Sequence, residues 1–243
     1  MSKTAIVIPA RYSSRRLNAK PLIEVCDKPI IQWVWERAKQ VNSADMVIIA
    51  TDNQEIYDKA KSFGAEVEMT SEHHQSGSDR IVEVVEKYPE ISYIINLQGD
   101  EPMINPQSVE KVIELIKNDD KADISTLVSL IKAEEDLEDP NMVKCVFDKD
   151  GYAIYFSRSK IPYERNYDIA SFYKHIGLYG YKRESLFKMS KIEQADIEKA
   201  ESLEQLRALY NGMRIKTAVI EDTSIGIDTI EDLNAFKKLV EKE

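Results

Sequence analysis

The chain has little cysteine, little histidine and no long apolar run, and each shortage removes a class of function. Its two cysteines, Cys26 and Cys145, have neither Cys-x-x-Cys spacing nor enough His and Cys company to make a soft-metal site. Both are expected to be reduced packing residues. No uninterrupted apolar stretch approaches the roughly 18–20 residues that cross a bilayer. The opening residues also lack the order of a secretory signal, so the expected compartment is the cytoplasm, with no membrane partner. Glycine fingerprints are missing too. The first apolar run, residues 5–8, leads into neither Gly-x-Gly-x-x-Gly nor a Walker A loop, which disfavours a Rossmann oxidoreductase. Positive charge is in deficit, with 33 Lys and Arg against 43 Asp and Glu and a net charge of -10. That balance opposes non-specific nucleic-acid binding, so any phosphate ligand requires a local basic site.

What is present is the composition of a folded domain, 43% hydrophobic and 31% charged. Short β-branched runs alternate with helical patterns: residues 5–8, 30–41, 46–50, 54–63, 67–69, 79–88, 93–97 and 106–117. In the helical stretches Ile81, Val84, Val85 and Tyr88, and then Val109, Val112, Ile113 and Ile116, repeat with the spacing of one helix face. The pattern predicts an α/β fold with a mostly parallel, doubly wound, Rossmann-like sheet. From about residue 122 the order changes. Strands are expected at 123–131, 144–147 and 152–156, the last two forming an antiparallel hairpin around Asp148 to Gly151, and another at 174–181. A helix over 200–210, a strand over 215–220 and a closing helix over 229–242 complete the reading. No Pro/Gly/Ser-rich linker interrupts the chain, so residues 1–243 read as one domain with an antiparallel excursion around 122–182.

The basic residues are concentrated. Lys3, Arg11, Arg15, Arg16 and Lys20 all precede the first acid, Glu24. Most lie between Pro9 and Leu22, after the first strand, where open α/β sheets bind ligands. Arginine forks, a lysine point charge and the hydroxyls of Ser13 or Ser14 suit a triphosphate; a solvated basic turn is the alternative.

A second strand end carries Gln98-Gly99-Asp100-Glu101-Pro102. Its carboxylates suit a hard cation such as Mg2+, which takes one or two protein carboxylates plus water and phosphate oxygens. Asp228, ahead of the last helix, is the best partner for Asp100, although it could equally cap that helix. The hydroxyl-rich segment 70–80 ends where a helix begins, so Ser78 or Asp79 could do no more than cap it. Adjacent His73 and His74 diverge and have no third soft ligand; a base or ribose edge fits that segment better than zinc. His175, at the edge of an apolar run, could be a buried, hydrogen-bonded histidine. In the 200–210 helix, Leu203, Leu206 and Tyr210 are expected to face the core, with Glu204, Arg207 and Ala208 elsewhere on its surface.

These segments together resemble the 3-deoxy-manno-octulosonate cytidylyltransferases, or CMP-Kdo synthetases, over essentially the whole chain. The likeness rests on Ile8-Pro9-Ala10-Arg11 through Lys20-Pro21-Leu22, His74-Gln75-Ser76-Gly77-Ser78-Asp79-Arg80 and Asn96-Leu97-Gln98-Gly99-Asp100-Glu101-Pro102. Later stretches agree in order: Pro140 to Lys144, Tyr155 to Arg158, His175 to Tyr179, Leu203 to Arg207 and Gly226 to Thr229. The resemblance implies CMP transfer from CTP to the anomeric hydroxyl of Kdo, for lipopolysaccharide or capsule assembly. It places Ala10, Arg11, Ser13 and Lys20 on the triphosphate side and Ser76, Arg80 and Gln98 around the cytidine. Asp100 and Asp228 would hold Mg2+, with Lys20 acting beside them, while Arg158, His175, Tyr179, Glu204 and Gln205 would meet the sugar acid. A homodimer formed around residues 150–175 is also implied. The chain departs from the family in carrying Asn18-Ala19 for Pro-Gly, Ser78 for Thr and Ile230 for Pro. Loss of the glycine restricts the phosphate loop's torsions but removes no charge. A related acidic sugar, 8-amino-Kdo or sialic acid, would use nearly the same groups, whereas a non-catalytic nucleotide-binding regulator would not need both aspartates and a sugar pocket.

Overall fold

Five consecutive buried residues, Thr4 to Ile8, make β1 (Lys3–Ala10) a strand covered on both faces, as strands of parallel sheets are. The computed structural model describes residues 2–12, 17, 19–74, 76–166, 169–221 and 226–241. Two units are distinguished, Met1–Glu110 with Thr223–Glu243, and Lys111–Asp222.

In the first unit β1 is followed by a two-stranded ribbon, β2 (Glu24–Val25) and β3 (Lys28–Pro29). Strands of two residues have no periodicity to read, so the sequence gives little sign of them. Their turn runs through Cys26 and Asp27, at φ 49° and 60°, the left-handed pair of a tight hairpin. The turn leaves Cys26 exposed, contrary to its expected packing role, while Cys145 is buried as expected. Pro29 then opens α1 (Ile30–Ala38), which turns Ile30, Ile31, Val34 and Ala38 inward.

β4 (Met46–Thr51), α2 (Gln54–Ser62), β5 (Glu66–Met69), α3 (Gly77–Glu86) and β6 (Ile91–Asn96) continue the alternation. β1 lies between β4 and β6, β4 also pairs with β5, and all these pairings are parallel. This is the predicted parallel sheet. Ile81, Val84 and Val85 of α3 are completely buried, each contributing about 1.5–3 kcal/mol by leaving water. Tyr88 lies beyond the helix end and bonds to Glu68 Oε1 at 2.7 Å.

α4 (Pro106–Asn118) leads into the second unit, which contains β7 (Ile124–Leu130), β8 (Lys144–Phe147), β9 (Ala153–Ser157), β10 (Tyr173–Lys182), α5 (Arg183–Ser190), α6 (Asp196–Glu201), α7 (Gln205–Tyr210) and β11 (Ile215–Val219). β7 pairs parallel with β11 and antiparallel with β10. The expected β8–β9 hairpin is present and adjoins β10 through Lys144 and Lys174.

The single helix expected over 200–210 is instead two, broken at Ser202, whose φ of 52° is left-handed. Its facing differs accordingly. Arg207 and Ala208 are buried, and Tyr210 is 73% exposed. Arg207 goes inside because Glu198 grips it at both ends, Nε to Oε2 at 2.8 Å and Nη2 to Oε1 at 2.6 Å. The pairing lets a guanidinium be buried. The chain returns to the first unit with α8 (Ile230–Val240), capped by the Thr229 hydroxyl; Lys242, expected in this helix, lies outside the described residues.

Candidate active site

Parallel β1, β4 and β6 bring their carboxyl ends to one edge of the first unit's sheet, and the candidate side chains Arg11, Asp52, Gln98 and Asp100 follow those ends in the chain. Buried Ala10 ends β1 and half-buried Arg11 follows it. Ser13 lies outside the described residues, as do Ser14, Arg15, Arg16 and Asn18. Ala19 N–H donates to Tyr12 O at 2.9 Å. Ala19 stands at φ 52°, ψ 30°, a left-handed conformation natural to glycine. A 3-10 turn at Lys20–Leu22 then starts, with Lys20 directed back at the sheet edge.

The Lys20 ammonium has three acceptors, one for each of its hydrogens. They are Asp100 Oδ2 at 2.6 Å, Ile227 O at 2.7 Å and Asp228 Oδ1 at 3.2 Å. Two aspartates 128 positions apart in sequence thus meet on one cation. Asp228 does not cap α8: Thr229 does, with Asp232 closing the reciprocal capping box. The loop after β6 reaches this place because of Gly99. A Cβ there would stand 2.7 Å from Pro9 O, closer than carbon and oxygen tolerate. The segment before α8 is tied to the same loop by Ile227 N–H donating to Asp100 O at 2.8 Å.

These oxygens fit Mg2+. Two carboxylates and a carbonyl are hard donors, and such a site is completed by water and phosphate oxygens. The Lys20 side chain is 11% exposed, but those of Asp100 and Asp228 are 31% and 52% exposed, leaving carboxylate oxygen directed to solvent. No group of three or more metal-ligating His, Cys, Asp or Glu side chains occurs among the described residues. His73 and His74 accordingly belong to none. His74 Nε2 instead lies 2.5 Å from Glu83 Oε2, which also accepts from Ser71 N–H. Burial would raise the Glu83 carboxyl, but these hydrogen bonds outweigh it and hold it low.

Ser76 caps α3, accepting from Asp79 N–H at 3.1 Å while Asp79 Oδ2 accepts from Ser76 N–H at 3.1 Å. Its hydroxyl hydrogen remains able to donate. Gln98 Nε2 donates to Asn96 Oδ1 at 3.2 Å. Arg80 is completely buried and donates to Thr70 Oγ1 and Asp52 Oδ2. In this structure its guanidinium supports the β4 end. Sequence reasoning passed over Asp52, although it follows β4 as Asp100 follows β6, and strand-end position could have flagged it.

The second unit holds the residues assigned to the sugar. His175 Nε2 is 3.1 Å from Thr126 Oγ1, whose own hydrogen faces the carbonyls of Ile176 and Leu178. Carbonyls only accept, so the ring nitrogen donates, and Nδ1 is left as an acceptor. Burial pushes the imidazole down to about 3, so it is neutral. Its ring lies against Phe156 and Tyr179, with centroids 5.0 and 5.3 Å away. Burial first, then the nearby Tyr181 and Glu204 charges, raise the Tyr179 hydroxyl well above its ordinary value, so it too is neutral.

His175 is positioned through its backbone, its N–H donating to Val143 O at 2.8 Å. The preceding turn is held by buried Lys144, whose ammonium donates to Asp139 O at 2.8 Å and Met142 O at 2.6 Å. Arg158 commits three of its five N–H groups to backbone carbonyls of Glu201, Pro140 and Ser202. Glu204 and buried Gln205 begin α7 directly after the Ser202 break.

The Cytidylyltransferase family model matches residues 5–215. The 3-deoxy-manno-octulosonate cytidylyltransferase of Thermodesulfovibrio yellowstonii is 48% identical, with 97% of each chain covered. That of Fusobacterium nucleatum subsp. nucleatum is 46% identical over 93% of this chain and 92% of its own. A solved CMP:2-keto-3-deoxy-manno-octonic acid synthetase complexed with CTP superposes with a TM-score of 0.96, at 43% identity over 99% of both chains. The chain is therefore a nucleotidyltransferase and belongs to the 3-deoxy-manno-octulosonate cytidylyltransferase family.

Proposed function

We propose that the chain transfers CMP from CTP to the anomeric hydroxyl of Kdo, releasing pyrophosphate and supplying CMP-Kdo for lipopolysaccharide or capsule assembly. The observation that carries the reading is the convergence of Asp100, Asp228 and Lys20 at the carboxyl edge of a parallel sheet, in a chain 48% identical to a protein named for that reaction. Attack on an α-phosphorus needs alignment and neutralised charge more than a strong base. Arg11 and Lys20 supply positive charge to the triphosphate, Lys20 as a point charge and Arg11 as a planar fork. Ser76 and Gln98 offer a hydroxyl and an amide to the cytidine. Asp100, Asp228 and the Ile227 carbonyl would hold Mg2+, which when bound neutralises phosphate charge and lowers the pKa of the attacking hydroxyl.

On the sugar side, neutral His175 offers Nδ1 as an acceptor to a hydroxyl, and Arg158 has two further N–H groups for a carboxylate. Tyr179, Glu204 and Gln205 add polar atoms suited to a polyol. CTP as donor places the reaction in the cytoplasm, and no described helix is long and apolar enough to cross a membrane. We assign a homodimer contact to residues 150–175, supported by Ile154, Tyr163 and Ile169, which are 59%, 88% and 77% exposed. The deciding experiment measures pyrophosphate release from CTP with Kdo, 8-amino-Kdo and sialic acid, with and without Mg2+. Mg2+-dependent release fastest with Kdo is expected; preference for another acid would overturn the sugar assignment, and no release with any would overturn the reading.

A further inference from the structure

Glu201, the last residue of α6, is engaged at every polar atom of its side chain. Oε1 accepts from Ser157 Oγ at 2.7 Å and from Tyr155 Oη at 3.4 Å, and Oε2 accepts from the Arg158 N–H at 3.0 Å. Its backbone carbonyl accepts from Arg158 Nε at 2.7 Å, and the carbonyl of the next residue, Ser202, from Arg158 Nη2 at 3.4 Å. One residue therefore locks the end of β9 to the α6–α7 break from both directions. Burial alone would push its carboxyl up, but the donors around it outweigh burial and keep it ionised.

What this lock fixes is specific. Ser202 is left-handed without being glycine, a conformation a non-glycine residue holds only where its surroundings impose it. The break it makes sets the direction in which Glu204 and Gln205 leave the backbone. The same contacts aim the Arg158 guanidinium, leaving two of its N–H groups with no hydrogen-bond partner among the described residues.

We propose that Glu201 is a positioning residue for acceptor specificity: without touching substrate, it holds Arg158, Glu204 and Gln205 in the geometry that receives the sugar acid. The proposal rests on the reading of those three residues as sugar contacts. A glutamine at this position keeps the size but loses the charge and one acceptor: its amide N–H turned toward the Arg158 N–H sets donor against donor, and turned toward Ser157 it reverses that bond and takes the acceptor from the Ser157 hydroxyl hydrogen.

The test compares wild type with Glu201→Gln and Ser157→Ala in steady-state transfer from CTP, together with thermal unfolding. Wild type is run first with Kdo, 8-amino-Kdo and sialic acid, so its own arm decides which acid is the acceptor. The variants are scored on that acid. In Glu201→Gln the acceptor KM is expected to rise about tenfold while the CTP KM stays within about twofold. Ser157→Ala, which removes a donor to Glu201 and the acceptor of the Ser159 N–H, is expected to raise the acceptor KM about threefold while the protein stays folded, with the CTP KM within about twofold. An unchanged acceptor KM in both variants overturns the proposal, as does a parallel rise in both KM values, which marks a purely structural residue. If Glu201→Gln does not fold, the Ser157→Ala result decides alone. Wild type accepting no acid would overturn this proposal and the assigned reaction together.

Discussion

Lys20 Nζ stands 2.6 Å from Asp100 Oδ2 and 3.2 Å from Asp228 Oδ1, so the ammonium sits on the oxygens assigned to a divalent ion. Two cations so close repel strongly in a partly desolvated site. A divalent ion held by these oxygens would therefore require Lys20 to swing away, and the proposed triphosphate would give it a destination. In Lys20→Met, nucleotide-free Mn2+ binding, followed by electron paramagnetic resonance, is expected to tighten about tenfold, while turnover is lost. Equal or weaker Mn2+ binding in the variant would show that Lys20 does not compete.

Asp100 has the complementary prediction. In the proposed reaction, CTP would keep its other contacts when this carboxylate is removed, whereas alignment of the reacting hydroxyl would depend on it. Asp100→Ala is expected to lower kcat by about 10³-fold or more, with CTP affinity falling by about tenfold or less. Stopped-assay turnover and calorimetric CTP binding separate the two effects.

Two backbone positions predict opposite responses to the same pair of residues. Ala19 has a Cβ at φ 52°, and Ala19→Gly is expected to stabilise the protein by about 1 kcal/mol. At Gly99 a Cβ would meet Pro9 O at 2.7 Å, and Gly99→Ala is expected to destabilise by about 2 kcal/mol. Urea unfolding of both variants checks the signs; activity should fall only in the second, because the shifted loop carries Asp100.

The pH dependence follows from His175, held down to about 3 by burial against an ordinary value of 6.5. Between those values the unfolded chain binds the proton and the folded one does not, so stability falls as pH drops below about 6.5, by up to about 1.4 kcal/mol per pH unit. Glu68, Glu83, Asp119 and Glu201 are half-buried, which alone would raise their carboxyls, but hydrogen bonds and nearby cations outweigh that and lower them. Their contribution is fully present above the ordinary carboxylate range and is lost only below it. Denaturant unfolding at pH 7 and pH 5 is therefore expected to lose stability in wild type and to flatten in His175→Gln.

The parallel half of the fold was legible because buried β-branched runs and one-faced helices leave a period in the sequence, and because ligands meet strand ends. That rule located Asp100, and the second carboxylate followed from its place before α8. It failed to separate Asp228 from a helix cap, since Thr229 next to it has the same capping chemistry. The α6–α7 break was illegible for a different reason. Ser202 carries no glycine signal for its left-handed turn, and the burial of Arg207 depends on Glu198, nine residues earlier and on another helix. Glu201 was invisible likewise, one acid in a charged helix until β9 supplies its donors.

The Glu198–Arg207 pair tests whether that break is held by charge or by shape. Both side chains are nearly buried, 5% and 10% exposed, and ions removed from water are stable only together. Removing either one strands the other, so Glu198→Leu and Arg207→Met are each expected to destabilise by about 3 kcal/mol. The double variant replaces the pair with apolar volume and is expected to regain most of that loss in denaturant unfolding. Apolar packing does not restore the two-point grip between α6 and α7, however. The acceptor KM of the refolded double variant is therefore expected to stay several-fold above wild type, with the CTP KM unchanged; a wild-type acceptor KM would mean that shape alone directs Glu204 and Gln205.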